Sequence, residues 1–298
     1  MRTTKRFTPK VLNRFEKQGR GFGTFEKFTP WHRVGRGDPS SRGRSHLQMW
    51  NNRQRELLSD KEWIGLFFAI SLAYLFDLLE QFPLSQEAAV HELSRYIVDG
   101  SQVVYPGTFE LAERLGIKHP KIAESGTSSK WIMSTDLLLV FKSASGKYEL
   151  LAVSIKTDDG FSKKKTKELL HLEREYWLVR GITWLLITPA LYDKRVALRL
   201  KDSMPWALEN PVQESDLQTA TDMAHEFQGR TLTYALERLT ARLGELDYAQ
   251  RAFWQSVWCG KIPMDLRRGW RPHEPIVLLS SDEFLSLNPI ASRRSAWI

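Results

Sequence analysis

The sequence predicts an α/β (or α+β) core followed by a smaller, mainly helical domain. Three features carry that expectation. Apolar segments between residues 59 and 188 follow the order helix, strand, strand, helix, strand; a short glycine-containing loop joins the first two strands; and the strand pattern stops near residue 190. At 298 residues, 42% of them hydrophobic, the chain can bury one large core or two smaller ones. The composition divides it at 1–58, 59–190 and 191–298.

Residues 1–58 are set apart by charge. Up to residue 59 there are 14 Lys/Arg against 4 Asp/Glu, so this end holds the whole surplus of a chain whose net charge is +8. Glycines 19, 21, 23, 35, 37 and 43, prolines 30 and 39 and few aliphatics predict an irregular basic arm over a polyanion, with residues 1–25 equally readable as a disordered tail. In "PSSRGRSH", Arg42, Arg44 and His46 alternate with small residues, a pattern suited to phosphate.

The first helix begins in "LLSDKEWIGLFFAISLAYLFDLL", where Ser59 and Glu62 have the spacing of a capping box and the apolar body predicts burial all round. A short helix, 108–115, stops at Gly116. Strands follow at 135–142 and 148–156, joined by "SASGK" as a hairpin. "KTKELLHLEREYWLVRG" reads as a helix with Leu169, Leu172, Tyr176 and Val179 on one face and Gly181 as its stop, and 182–188 is the third strand. From 215 to 259 the pattern is helical, and "YAQRAFWQSVWCGKIPMDL" fits a helix, a turn and an extended tail, as in a helix-turn-helix variant or any helical bundle. Tryptophans 254, 258 and 270 read as core or as a docking surface, and the single cysteine, Cys259, as packing. The absence of a membrane-length apolar run and of a secretory h-region predicts a cytoplasmic protein.

Two charges stand out in the strands. Alternation puts Leu151, Val153 and Ile155 on one face and Ala152, Ser154 and Lys156 on the other, and an antiparallel hairpin brings Asp136 toward Lys156. A carboxylate that holds a divalent ion beside a lysine that offsets developing charge suits phosphodiester hydrolysis, with Glu62 available as a second acid. A salt bridge at a sheet edge has the same spacing. Lys163, Lys164 and Lys165 form a second basic run that reads as phosphate-facing or as a solvated loop, and His119 reads as structural.

At these residues the chain resembles the TnsA-type transposon endonucleases. The resemblance runs through "PWHRV", "PSSRGRSH", "LLSDKEW", "EQFPL", "GIKHP", "MSTD", "AVSIK" and "LEREYW", collinear over about residues 30–190. It implies a restriction-endonuclease-like catalytic domain over 59–190, catalytic residues at Glu62, Asp136 and Lys156, the Ile155 carbonyl as a further metal ligand, and Glu173 as a supporting acid. It also implies Mg²⁺ or Mn²⁺, two ions, as cofactor. The expected partners are double-stranded DNA of transposon ends, a DDE transposase of the TnsB type and an AAA+ ATPase of the TnsC type, with a winged-helix-like carboxy-terminal domain, in a prokaryotic cytoplasm.

Ser154 departs from the family pattern, where an acid or glutamine stands two residues before the lysine. Its neutral hydroxyl is a poorer ligand than a carboxylate, and is expected to serve catalysis through water if at all. The favoured expectation is a Mg²⁺-dependent endonuclease cutting the 5′, non-transferred strands; the alternatives are a non-catalytic DNA-binding scaffold and a stand-alone restriction-like nuclease.

Overall fold

The computed structural model describes residues 6–41, 43–97, 103–124, 126–268 and 272–297. They fall into two compact units. One comprises the described residues up to Trp63, Tyr74–Thr188 and Trp297; the other comprises Ile64–Ala73 and Pro189–Ala296.

In chain order the first unit contains α1 (Pro9–Lys17), β1 (His46–Trp50), β2 (Arg53–Leu57) and the first turn of α2 (Asp60–Ile70). Then come β3 (Leu75–Pro83), β4 (Ala89–Val90), β5 (Val104–Tyr105), α3 (Thr108–Arg114), β6 (Lys121–Glu124) and β7 (Thr127–Lys130). It ends with β8 (Ser134–Lys142), β9 (Tyr148–Ile155), α4 (Asp158–Ser162), α5 (Lys164–Leu178) and β10 (Thr183–Ile187). The central sheet has the order β10-β9-β8-β3. β3–β8 and β8–β9 are antiparallel, whereas β9–β10 is parallel and needs the helical crossover through α4 and α5. Leu137, Leu139, Leu151, Val153 and Leu186 are fully buried, as expected of near-continuous apolar strands inside a sheet.

The hairpin and the third strand lie where the sequence predicts them, and the turn carries Gly146 at φ +80°. β3 does not. The apolar run from residue 57 to 79 predicts one long helix, but the helix ends at Ile70, Tyr74 adopts φ +61°, and the chain continues as a strand. Burial on all sides gives helix and strand the same composition, so periodicity alone cannot divide them. On α5 the buried residues are Leu170, Leu172, Glu173, Tyr176 and Trp177; Val179 lies beyond the helix body and is exposed, because the chain turns off at Gly181, φ +69°.

The amino-terminal segment is likewise not an irregular arm. Thr8 caps α1 through a hydrogen bond from Val11 N, and Leu12 and Phe15 pack with Trp31 as a small core. β1 and β2 form a hairpin whose turn residues, Asn51 and Asn52, take φ +48° and +57°. Aromatics supply the burial that few aliphatics seemed to forbid. Arg53 and Arg55 are buried too, both directed at Glu80 of β3.

The second unit gathers the body of α2 with α6 (Lys194–Leu208), α7 (Glu214–Asp222), α8 (Ala224–Phe227), α9 (Leu232–Leu243), α10 (Leu246–Trp258) and α11 (Ser281–Ser286). The sequence assigns the whole of α2 to the core domain, but Leu66, Phe67, Phe68 and Ala69 are buried in this helical unit, with Phe67 edge-on to Trp258. α10 is its central helix, packed against α6, α7 and α9, with Trp254 and Trp258 in the core. Trp270 lies outside the described residues. The stretch after α10 makes two isolated antiparallel bridges, Met264↔Leu278 within itself and Thr231↔Pro275 to the residue before α9. Cys259 is exposed and so is not core packing. Among the described residues no helix is long and apolar enough to cross a membrane.

Candidate active site

The register of the central hairpin builds the site. Leu137 pairs with Val153, so Asp136 stands opposite Ser154, one residue before the end of β9. One carboxylate oxygen of Asp136, Oδ2, accepts the Ile155 N–H at 2.6 Å and the Lys156 ammonium at 2.7 Å. Lys156 is fixed from its backbone as well, where its N–H donates to the Ile187 carbonyl of β10.

Glu62 arrives from the first turn of α2. Ser59 caps the helix by accepting the Glu62 N–H at 3.2 Å, and the Glu62 carboxylate accepts the Ser59 hydroxyl and, through Oε2, the Leu58 N–H at 2.8 Å. The reciprocal backbone bond thus comes from the Leu58 N–H and not from the N–H of the cap residue. Oε2 also accepts the side-chain amide of Gln81 at 3.1 Å, and the same nitrogen reaches Asp136 Oδ1 at 3.5 Å. Glu62, Gln81, Asp136 and Lys156 therefore form one chain of contacts, with the Ile155 backbone beside it.

Burial and the neighbouring Asp136 push the Glu62 carboxyl up to about 7. Burial acts to lower the Lys156 ammonium, but Asp136, Glu173 and Glu62 together hold it above its ordinary value. Lys156 is thus a persistent cation near neutral pH.

Ser154 and Glu173 form a second cluster. Ser154 is fully buried and donates its hydroxyl to Glu173 Oε1, which also accepts Thr135 Oγ1 at 2.7 Å and the Trp184 indole at 3.3 Å. Trp184 Nε1 lies 3.2 Å from Ser154 Oγ as well, and Trp177 Nε1 donates to Thr135. Burial, with Asp136, raises the Glu173 carboxyl, while Lys156 and the hydroxyls of Ser154 and Thr135 oppose the rise. The short serine leaves room for a carboxylate delivered from α5, and Glu173 is a buried residue, not a solvated one.

The proposed phosphate contacts are more scattered. Arg42 lies outside the described residues. His46 Nε2 is 2.7 Å from Asp60, its ring stacks on Trp63 at 4.2 Å, and the exposed Arg44 also approaches Asp60, so both stand beside the first turn of α2. Lys163, Lys164 and Lys165 are exposed at the start of α5. His119 bonds Pro120 O and Thr108 Oγ1 and is structural.

Gln81, Thr135 and Trp184 join the site without any local signal. His32 stands outside this set: its Nδ1 lies 2.8 Å from Ser40 Oγ and its ring stacks on Trp131, and burial lowers it to about 4, opposed by the charges of Asp38 and Asp136. Among the described residues no three His, Cys, Asp or Glu side chains gather as metal ligands. The oxygen-only set of two carboxylates and a backbone carbonyl nevertheless fits a hard divalent cation, and both acids are met by donors, an amide and an ammonium, where a cation would relieve their repulsion.

Two comparisons bear on this geometry. Residues 96–189 match the family model of the TnsA-like endonuclease N-terminal domain, a span that includes Asp136, Lys156 and Glu173. The chain is also 30% identical over 228 residues to the transposon Tn7 transposition protein TnsA of Escherichia coli, covering 74% of this chain and 72% of that protein.

Proposed function

The chain belongs to the family of TnsA-type transposon endonucleases, and from that premise we propose that it is a divalent-cation-dependent endonuclease cutting the 5′, non-transferred strands at transposon ends. The observation that carries this reading is the Gln81 amide, one nitrogen shared by carboxylates from distant parts of the chain, with Lys156 ion-paired to the second of them. Glu62, Asp136 and the Ile155 carbonyl would hold Mg²⁺ or Mn²⁺, which when bound polarises a phosphoryl oxygen and acidifies water.

The protein's own groups account for the rest. Asp136 is fixed by Ile155 N–H and Lys156, so its second oxygen, Oδ1, keeps a constant direction. Lys156 retains its proton and serves as a positive charge beside the scissile phosphate, not as a base. Hydrolysis joins a water oxygen to phosphorus and breaks the P–O3′ bond; the departing oxygen takes a proton, leaving a 3′-hydroxyl and a 5′-phosphate. Arg42, Arg44, His46 and Lys163–Lys165 supply phosphate contacts that position DNA without reading its sequence. A DDE transposase of the TnsB type cuts the other strand, and an AAA+ partner of the TnsC type completes the assembly.

The test is strand-specific cleavage of a plasmid bearing paired ends, with both partners and Mg²⁺ present. Asp136→Asn and Lys156→Met should each reduce 5′-strand cutting by at least about 100-fold, or ~2.7 kcal/mol of barrier, with end binding preserved. Undiminished cutting by either variant refutes the mechanism, and vigorous nicking by the isolated wild type would refute the partner requirement.

A further inference from the structure

Gln81 has a conformation that strand pairing does not ask for. It sits in β3 between the pairs Glu80↔Leu137 and Phe82↔Thr135, opposite Asp136, yet takes φ +50°, a left-handed value that L side chains seldom adopt. Its carbonyl leaves the ladder and accepts the N–H of Trp31 at 3.1 Å. Its side chain, 3% exposed, is thereby aimed between Glu62 and Asp136. Held outliers of this kind cluster at functional sites.

The amide has two chemically different ends. Its nitrogen now faces both carboxylates, an orientation the two acceptors dictate, while its oxygen lies 3.4 Å from the Ser134 hydroxyl. A hydroxyl both donates and accepts, so Ser134 can serve either end of the amide. Turning it over would exchange a donor for a neutral oxygen at the spot where the two acids meet. Side-chain amide oxygens are ordinary ligands of hard divalent cations.

We propose that Gln81 belongs to the cation site: nitrogen-inward it bridges Glu62 and Asp136 when no cation is bound, and oxygen-inward it is a fourth oxygen donor, uncharged like the Ile155 carbonyl. This rests on the cation-dependent reading above. It also gives the left-handed residue a purpose, since an ordinary strand conformation would not bring this amide to both acids.

The experiment is calorimetric titration of the full-length protein with Mn²⁺ alone, without DNA. Glycine accepts φ +50° readily, so Gln81→Gly should keep the wild-type fold by circular dichroism while binding Mn²⁺ at least about tenfold more weakly. Gln81→Glu should bind Mn²⁺ more tightly than wild type, melt earlier in chelator at pH 8, and regain its midpoint when Mn²⁺ is added. Unchanged or tighter Mn²⁺ binding by Gln81→Gly overturns the assignment, as does weaker binding by Gln81→Glu. Asp136→Asn separates the two levels: if it binds Mn²⁺ like wild type, the cation site itself is wrong, whereas lost binding there with unaltered Gln81→Gly removes Gln81 alone. A wild type that takes up no Mn²⁺ ends both.

Discussion

Ser154 and Glu173 should behave energetically as a single unit, and a double-mutant cycle measures this. Three donors converge on Glu173 Oε1, namely the hydroxyls of Ser154 and Thr135 and the indole of Trp184, around a carboxylate only 4% exposed. Ser154→Ala deletes one hydrogen bond to a charged group, worth about 2 kcal/mol, and leaves no room for water at a fully buried position. Glu173→Leu removes the acceptor of all three donors and withdraws a charge that Lys156 senses, so a loss of about 3 kcal/mol is expected. Once Glu173 is changed, the serine has little left to lose, and the double variant should be more stable than the sum of the singles predicts by about 1–2 kcal/mol. Equilibrium urea titrations of the four proteins give the coupling. Strand cleavage by the same four gives its catalytic counterpart, with Ser154→Ala expected to lose about tenfold. Additivity within about 0.5 kcal/mol would show that the two side chains share no bond, and would return Ser154 to the cation side of the site.

Three further outcomes are expected. The Glu62 carboxyl is raised, so the folded chain binds more protons than the unfolded one between about 4.5 and 7, and this group's contribution falls as pH rises through that window. Glu62→Gln should remove that decline, gaining up to about 3 kcal/mol in chelator at pH 8, and should lose the stabilisation by Mg²⁺ that the proposed cation site predicts for wild type; a melt still raised by Mg²⁺ would contradict its place in the site. His32 titrates in the opposite sense: burial holds its folded value near 4, so its contribution is complete above about 6.5 and is lost as pH falls toward 4, by up to about 3 kcal/mol. His32→Asn should flatten the acid limb of the stability curve, and an unaltered limb would assign acid unfolding to other groups. Arg53→Met leaves Glu80 buried with only Arg55 and the Glu56 N–H, and a stability loss of about 3 kcal/mol by urea titration is expected; an unchanged midpoint would mean that Arg55 suffices.

The parts of the site that were legible are those set by local chemistry. Asp136 and Lys156 follow from strand alternation across a short hairpin, and the Ser59–Glu62 spacing gives both the start of α2 and the position of its acid. Gln81 is different: its importance depends on pairing with a strand 55 residues later, and nothing in "EQFPL" records the left-handed turn that aims it. β3 was hidden because Ile70 and Leu75 are equally apolar while the change from period 3.6 to period 2 falls within a few residues. The amino-terminal segment misleads by composition. Its buried aromatics, Phe15, Phe28 and Trp31, are few in number but large, so a count of aliphatics underestimates what it buries.

The ion pairs of that segment bear on how tightly DNA would be held as salt is varied. Four of its arginines are already engaged by buried carboxylates: Arg20 by Asp38, Arg33 by Glu56, and Arg53 and Arg55 by Glu80. Glu80 lies beyond residue 59, so the charge it shares between Arg53 and Arg55 is invisible to a tally of the segment's own residues. Every cation retired in this way displaces no counterion from a duplex and subtracts about 0.9 from the steepness of log affinity against log salt. The electrostatic grip is therefore gentler than the formal charge implies.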